Sequence, residues 1–266
     1  MEDPVAGGYD AVYAAWPSSP GLQSIWRRNA LGPGYPPGFE PISFLTFDEL
    51  QGIVRALRLR PGDRVIDLAC GAAGPGLFVA RHAEARLVGI DLSRVDIRLA
   101  ARRASTQHLE ADFVVAVAAA IALAGASSQG ALSVDALQYV PDKRAALREV
   151  ARVLAPGGRF AFTAFELDPE RVVDLPVLGT DPVADYAPLL ADAGFTVESY
   201  DESAQWAERL EATYRAVVAA RDTLAAEMGQ RAIDALLMEV ALTLEVRPYR
   251  RRVFVVASKH ARSDRH

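Results

Sequence analysis

The chain has 266 residues, with 29 Lys+Arg against 34 Asp+Glu for a formal net charge of −5. A mildly acidic chain with a pI near 5.5 lacks the basic footprint that nucleic-acid binding needs, and the single Cys70 excludes an intramolecular disulfide framework. The length suits one α/β domain with additions, or two small domains.

No basic stretch followed by an apolar core opens the chain, so no secretory leader is expected. The longest apolar run, Phe113 to Ala126, is 14 residues; a membrane-spanning helix takes about 20. A cytoplasmic protein is the expectation. Residues 1–45 interleave aromatics (Tyr9, Tyr13, Trp16, Trp26, Tyr35, Phe39, Phe44) with Pro33, Pro36, Pro37 and Pro41. Internal prolines break a helix, and disordered segments are poor in aromatics. Short helices near 9–16 and 21–29, then an ordered loop, are predicted. Thr46 reads as a helix N-cap, with Glu49 three residues later and Leu50, Ile53, Val54 and Leu57 at helical spacing.

From Arg64 the pattern alternates. Strands are predicted at 65–68, 86–92, 110–115, 129–134 and 159–165. Helices follow the turn at Gly71, Ser93 (to about Ala104) and Asp142 (Lys143–Leu154, stopped by Pro156-Gly-Gly). Short strands alternating with helices imply βαβ units and a parallel sheet. A helix at Asp181–Ala193 and a strand at Thr196–Tyr200 come next. One long helix carries Trp206, Leu210, Tyr214, Val217, Arg221, Leu224 and Met228, and a second carries Ile233, Leu236, Leu237, Val240 and Leu244. Pro248 closes it before a last strand, 252–257.

The chemistry concentrates in Val65-Ile-Asp-Leu-Ala-Cys-Gly-Ala-Ala-Gly-Pro-Gly. A strand ends in an acidic residue, a turn of small residues follows, and a helix begins. Small residues let a ligand approach the backbone closely. The second strand ends in Asp91, 20 residues after Gly71, a position suited to the two hydroxyls of a ribose. A dinucleotide and S-adenosylmethionine both fit such a segment. The dinucleotide fingerprint is Gly-x-Gly-x-x-Gly, whereas Gly71, Gly74 and Gly76 are spaced Gly-x-x-Gly-x-Gly. Asp67 would also repel a pyrophosphate, but suits the ammonium of a methionine moiety.

Asp67-Leu-Ala-Cys-Gly-Ala-Ala-Gly resembles motif I of the class I S-adenosylmethionine-dependent methyltransferases, departing from Asp-x-Gly-x-Gly-x-Gly by alanine at 69 and 73. Gly89-Ile-Asp-Leu-Ser resembles the family's ribose-binding strand end, and Asp112-Phe113 the pair flanking the adenine. Ser133-Val-Asp-Ala-Leu-Gln-Tyr-Val-Pro-Asp and the helix after it resemble the small-molecule branch typified by ubiquinone- and menaquinone-biosynthesis enzymes. The resemblance covers about 60–166. It implies a Rossmann-like seven-stranded sheet, parallel except for one antiparallel strand (252–257), with helices on both faces. It also implies S-adenosylmethionine as cofactor, held by Asp67, Ala69, Gly71, Asp91, Leu92, Asp112, Phe113 and Ser133. Alanine at 69 and 73 predicts a wider turn or weaker cofactor affinity.

The organisation implied is an N-terminal aromatic lid (1–45), a core (46–203), a helical insertion (204–248) and the last core strand (249–260). Tyr9, Tyr13, Trp26, Phe44, Trp206 and Tyr214 are the candidate roof over an apolar or aromatic small-molecule substrate. Gln138, Tyr139 and Glu166 are the candidate catalytic residues, Glu166 as a general base. The four histidines have no metal-ligand spacing, so no metal is expected. Membrane and nucleic-acid partners are not expected, and nothing sets the oligomeric state. The readings left beside methyl transfer are a dinucleotide-dependent oxidoreductase and a family member repurposed for other chemistry, such as a cyclase.

Overall fold

A computed structural model describes residues 4–171 and 181–261, the first six by backbone alone. Seven strands form one sheet in the order β3-β2-β1-β4-β5-β7-β6. They are β1 (Arg64–Leu68), β2 (Arg86–Asp91), β3 (Ala111–Val115), β4 (Ser128–Val134), β5 (Leu154–Leu167), β6 (Phe195–Glu202) and β7 (Arg250–Lys259). The first five pair in parallel, and β7 runs antiparallel between β5 and β6. This is the Rossmann-like methyltransferase sheet that the sequence predicts. Helices α4 (Gly74–Ala83), α5 (Arg94–Thr106) and α6 (Lys143–Val153) supply crossovers, and apolar clusters lie on the sheet's two faces.

Local chemistry places the helix starts. Thr46 Oγ1 accepts from the Glu49 N–H, and Glu49 Oε2 accepts from the Thr46 N–H at 2.9 Å, a complete capping box for α3 (Phe47–Leu57). Ser93 caps α5 through the Val95 and Asp96 N–H groups, and Asp142 caps α6 through Ala145.

Three boundaries differ from the sequence reading. The helix predicted over 181–193 is only α7 (Ala187–Asp192), because Pro188 has no N–H and fits only a first turn. The strand predicted from 159 starts at Leu154, which pairs with Ser128 before the register jumps to Gly130 opposite Arg159; residues 155–158 are the extra length of a bulge. The long helix over 206–228 breaks at Ala220 into α8 (Trp206–Ala219) and α9 (Arg221–Met228). The break brings Glu227 to the N-terminal segment, where its Oε2 accepts from Ser19 Oγ at 2.6 Å and the Gly21 N–H at 3.0 Å.

The two stretches outside the βα core meet each other. α1 (Pro4–Ala15) packs on α10 (Gln230–Val246), and α2 (Pro20–Ile25) with the π-helical turn Trp26–Leu31 packs on α8 and α9. Phe44 lies 5.7 Å from the Tyr214 ring and 6.2 Å from Phe165, so one aromatic cluster joins the N-terminal segment, the helical insertion and β5. Such ring pairs contribute about 0.5–1.5 kcal/mol each beyond their buried area.

Candidate active site

A cavity of about 570 Å³ opens where the parallel strands end, the edge at which open α/β sheets take their ligands. Its floor is the turn after β1. Asp67 is 2% exposed, and its Oδ2 has no hydrogen-bond partner among the described residues. Burial, reinforced by Asp91, pushes its carboxyl up to about 8. A Cβ on Gly76 would run into this carboxylate, and one on Gly71 would stand 3.1 Å from Tyr13 Oη. Space therefore requires glycine at 76, while at 71 a Cβ would be only tight. Gly71 also holds φ +52, which favours glycine.

Ala69 and Ala73 take the same left-handed conformation, φ 53 and 55. The turn keeps the backbone shape of a glycine-rich one instead of widening, at a cost of about 1–2 kcal/mol per alanine. Ala69→Gly is expected to raise the melting temperature and leave the cavity's shape intact. A lower melting temperature would show that the methyl packs better than the backbone is strained.

Asp91 ends β2. It accepts from the Gly71 N–H through Oδ2 and from the Ser93 N–H through Oδ1, both at 2.8 Å. Ser93 Oγ in turn donates to Asp10 of α1 at 2.5 Å, tying the N-terminal helix to this end of the cavity. Leu92, 58% exposed, and Val117, 49% exposed, both line it. A buried carboxylate with one unpartnered oxygen able to meet an ammonium, a small-residue cradle and a strand-end carboxylate fit S-adenosylmethionine. Asp67 suits the methionine end, Asp91 the ribose, and the Leu92 and Val117 side chains offer apolar faces for the base.

The other side of the cavity is apolar: Val12, Trp26, Phe44, Phe165, Leu210 and Leu236 line it. Four polar residues interrupt this wall. Tyr214 Oη donates to Glu239 Oε1 at 2.9 Å, and burial, then Glu239, drives the phenol well above its usual range. Arg250 stands with its guanidinium 4.1 Å over the Phe165 ring. Tyr139 lines the same space.

Of the residues singled out from sequence, Asp67, Ala69, Gly71, Asp91, Leu92, Tyr13, Trp26, Phe44, Tyr214, Gln138 and Tyr139 all border this cavity. Gln138 is committed to the backbone: its Nε2 donates to the Asp135 carbonyl at 2.5 Å and its Oε1 accepts from the Phe165 N–H at 3.3 Å. It positions the turn after β4.

Other candidates lie elsewhere. Asp112 is exposed and pairs with Val88, three residues short of the strand end, where Val115 meets Asp91; the cavity wall beyond β3 is Ala116, Val117 and Ala118. Phe113 covers Gly89, where a Cβ would clash with its ring. Ser133 Oγ donates to the Leu68 carbonyl at 2.9 Å and stitches β4 to β1. Glu166 faces the opposite side of β5, accepting from Tyr200 Oη and, at 2.6 Å, from Arg251 Nε. Trp206 packs 5.8 Å from Phe165, outside the cavity lining. The Tyr9 side chain lies outside the described residues. Cys70 is buried, and burial pushes its thiol up, so it is an inert core residue. No group of His, Cys, Asp and Glu able to hold a metal occurs among the described residues, nor any helix long and apolar enough to cross a membrane.

Glu239, Arg250, Asp135 and Asp10 are among the cavity residues that were not site candidates from sequence. The available signals were a carboxylate between Leu236 and Val240, next to the helix's apolar stripe, and three consecutive arginines before an apolar strand.

Comparisons with known proteins agree with this geometry. Residues 65–158 match the family model described as a methyltransferase domain. The 27-O-demethylrifamycin SV methyltransferase of Amycolatopsis mediterranei is 30% identical over 219 residues, which are 76% of this chain and 77% of that protein. Two solved structures share the fold. The [4+2]-cyclase SpnF has a TM-score of 0.71 at 22% identity, over 80% of each chain. Phosphoethanolamine N-methyltransferase 2 of Haemonchus contortus, bound to phosphomonomethylethanolamine and S-adenosylhomocysteine, has a TM-score of 0.71 at 18% identity, over 90% of this chain and 56% of that one. The chain belongs to the class I S-adenosylmethionine-dependent methyltransferases. It is an enzyme that uses S-adenosylmethionine to methylate a small molecule.

Proposed function

We infer that the acceptor is an apolar or aromatic small molecule methylated on a hydroxyl oxygen, with Glu239 taking the hydroxyl proton. The observation that carries this reading is the placement of the Tyr214–Glu239 pair in a mainly apolar wall of the cavity that Asp67 also lines. The relative from Amycolatopsis, whose name describes restoration of an O-methyl group on a specialised metabolite, supports an oxygen acceptor.

When bound, the cofactor supplies an already activated methyl group, so the chain's own task is alignment, desolvation and proton removal. Asp67 holds the methionine end and Asp91 the ribose. Trp26, Phe44, Leu210 and Leu236 exclude water and receive the acceptor's apolar body. Tyr214 fixes the Glu239 carboxylate by donating to it. The described residues of the segment before α3, together with residues 204–248, form the roof that makes this space selective. A cytoplasmic setting and the lack of a nucleic-acid partner belong to the same reading, supported by the single cysteine and the acidic charge.

The test is turnover of S-adenosylmethionine with apolar alcohols and phenols, read as S-adenosylhomocysteine together with methylated product. Glu239→Gln is expected to lower kcat about 10²–10⁴-fold, the range for losing a general base, while cofactor affinity stays at the wild-type value. Bound cofactor with no S-adenosylhomocysteine formed on any acceptor would overturn methyl transfer. An unchanged kcat in Glu239→Gln would remove this residue from the role.

A further inference from the structure

Three consecutive arginines open β7, and the pleat sends them different ways. Arg251 meets Glu166 on one face of the sheet. Arg252, on the other face, meets Glu49 and Asp135. Arg250 shares that face but has no carboxylate: among the described residues its Nε and Nη1 are buried with no hydrogen-bond partner. The residue is 8% exposed and borders the cavity. Because β7 is antiparallel, its first residue lies at the same sheet edge as the end of β5, so Arg250 reaches the acceptor side of the site.

A guanidinium cannot shed its proton to escape burial, and an unpaired buried charge is expensive. The Phe165 ring, 4.1 Å away, covers one flat face and leaves the N–H edges unsatisfied. Of the other ionisable groups of this wall, Tyr214 and Glu239 hydrogen-bond to each other, Asp135 is paired with Arg252, and the Tyr139 phenol carries no charge to offer a guanidinium. What is missing is a planar anion that can take two N–H donors at once.

We propose that Arg250 is the docking point for a carboxylate on the acceptor, separate from the hydroxyl that is methylated. The acceptor is then an apolar hydroxy acid: its carboxylate pairs with Arg250 against Phe165, and its hydroxyl lies within reach of Glu239. This rests on the acceptor pocket proposed above, yet it can be tested without turnover. The probes are 2-naphthoate and its neutral counterpart 2-naphthamide, titrated into the full chain with S-adenosylhomocysteine present and followed by tryptophan fluorescence. The wild type is expected to bind the acid about 10- to 100-fold more tightly, as charge-assisted hydrogen bonds to a buried partner imply. Arg250→Met, which keeps an apolar stem, is expected to erase that preference and leave naphthamide and cofactor affinities unchanged. Arg250→Lys, which keeps the charge without the planar fork, is expected to retain part of the preference and serves if the methionine variant does not fold. Equal binding of the two probes by the wild type, or an undiminished preference in Arg250→Met, would overturn the assignment. Failure of methyl transfer with intact naphthoate selectivity would sink the reaction reading and leave the carboxylate site standing.

Discussion

Asp67→Asn is expected to make the protein more stable at pH 8 and to bind S-adenosylmethionine about 100-fold more weakly. Both effects come from one buried carboxyl. Its pKa is about 8 in the folded chain, against about 3.9 for an unfolded aspartate. Between those values the folded state holds a proton that the unfolded state has released. The stabilising contribution is therefore fully present below about pH 4 and is lost as pH rises toward about 8, at up to about 1.4 kcal/mol per pH unit. Asparagine does not titrate and removes this slope. Asp96, also pushed up to about 8 by burial and then by Asp91, keeps a slope of its own, so Asp67→Asn/Asp96→Asn should melt with a shallower pH dependence across that window than either single variant.

The cost falls on the cofactor. Pairing Asp67 with an ammonium requires the ionised form, so wild-type affinity should rise with pH through about 8, with a proton released on binding. Asparagine forfeits that charge, and a charged hydrogen bond lost with its partner left buried amounts to about 3 kcal/mol. Calorimetry at pH 6, 7 and 8, together with melting curves, checks both halves. Wild-type affinity in the variant would show that Asp67 is not the group that meets the cofactor, and an unchanged slope of melting temperature against pH would show that its carboxyl does not titrate in this window.

The parts of the site legible in the sequence are those that local chemistry fixes. The β1 turn needs small residues whatever the rest of the chain does, and Asp91 ends an apolar strand and meets Gly71 across one hydrogen bond. The capping signals at Thr46, Ser93 and Asp142 depend only on neighbours three residues away. The strand β7 is legible in the same way, as an apolar run after a proline-closed helix, whereas its antiparallel direction follows only from the family resemblance.

Illegible were the facts that depend on register and pleat. Asp112 and Val115 are three residues apart in one strand, and only the pairing with β2 shows which of them reaches the edge. Phe165 and Glu166 are adjacent, so one faces the cavity and the other the opposite face; no local signal says which. The three arginines of β7 divide by the same alternation. Glu239 could be placed only once α1 and α8 were seen to pack around α10.

The same alternation buries Arg252, and its loss should be the most damaging single change in the fold. Its side chain is fully buried. Nη1 donates to Glu49 Oε1 and Ser203 Oγ, both at 2.7 Å, and Nε donates to Asp135 Oδ1 at 2.9 Å. Asp135 Oδ2 accepts from the Phe44 N–H at 2.9 Å, and Glu49 closes the capping box of α3. One guanidinium thus joins β7, α3, the end of β4 and the loop that carries Phe44 to the cavity. Burial pushes the Glu49 carboxyl up, but the Arg252 charge together with hydrogen bonds from Ser203, the Thr46 backbone and Arg252 itself holds the group below its usual value. Arg252→Met strands two buried carboxylates, and breaking a buried ion pair by removing one partner costs about 3–5 kcal/mol. At about 2–4 °C per kcal/mol for a domain of this size, the melting temperature should fall by roughly 10 °C. Asp135→Asn isolates the charge. It tolerates the left-handed backbone at φ 49 and still accepts from Phe44, so its fall should be smaller, while a loosened Phe44 raises the acceptor KM more than it lowers kcat. Adding Glu49→Gln and Asp135→Asn to Arg252→Met removes both stranded charges and should recover part of the lost stability. If Arg252→Met melts like the wild type, the ion pairs contribute no more than the desolvation they cost, and Phe44 is held in the cavity wall by aromatic packing alone.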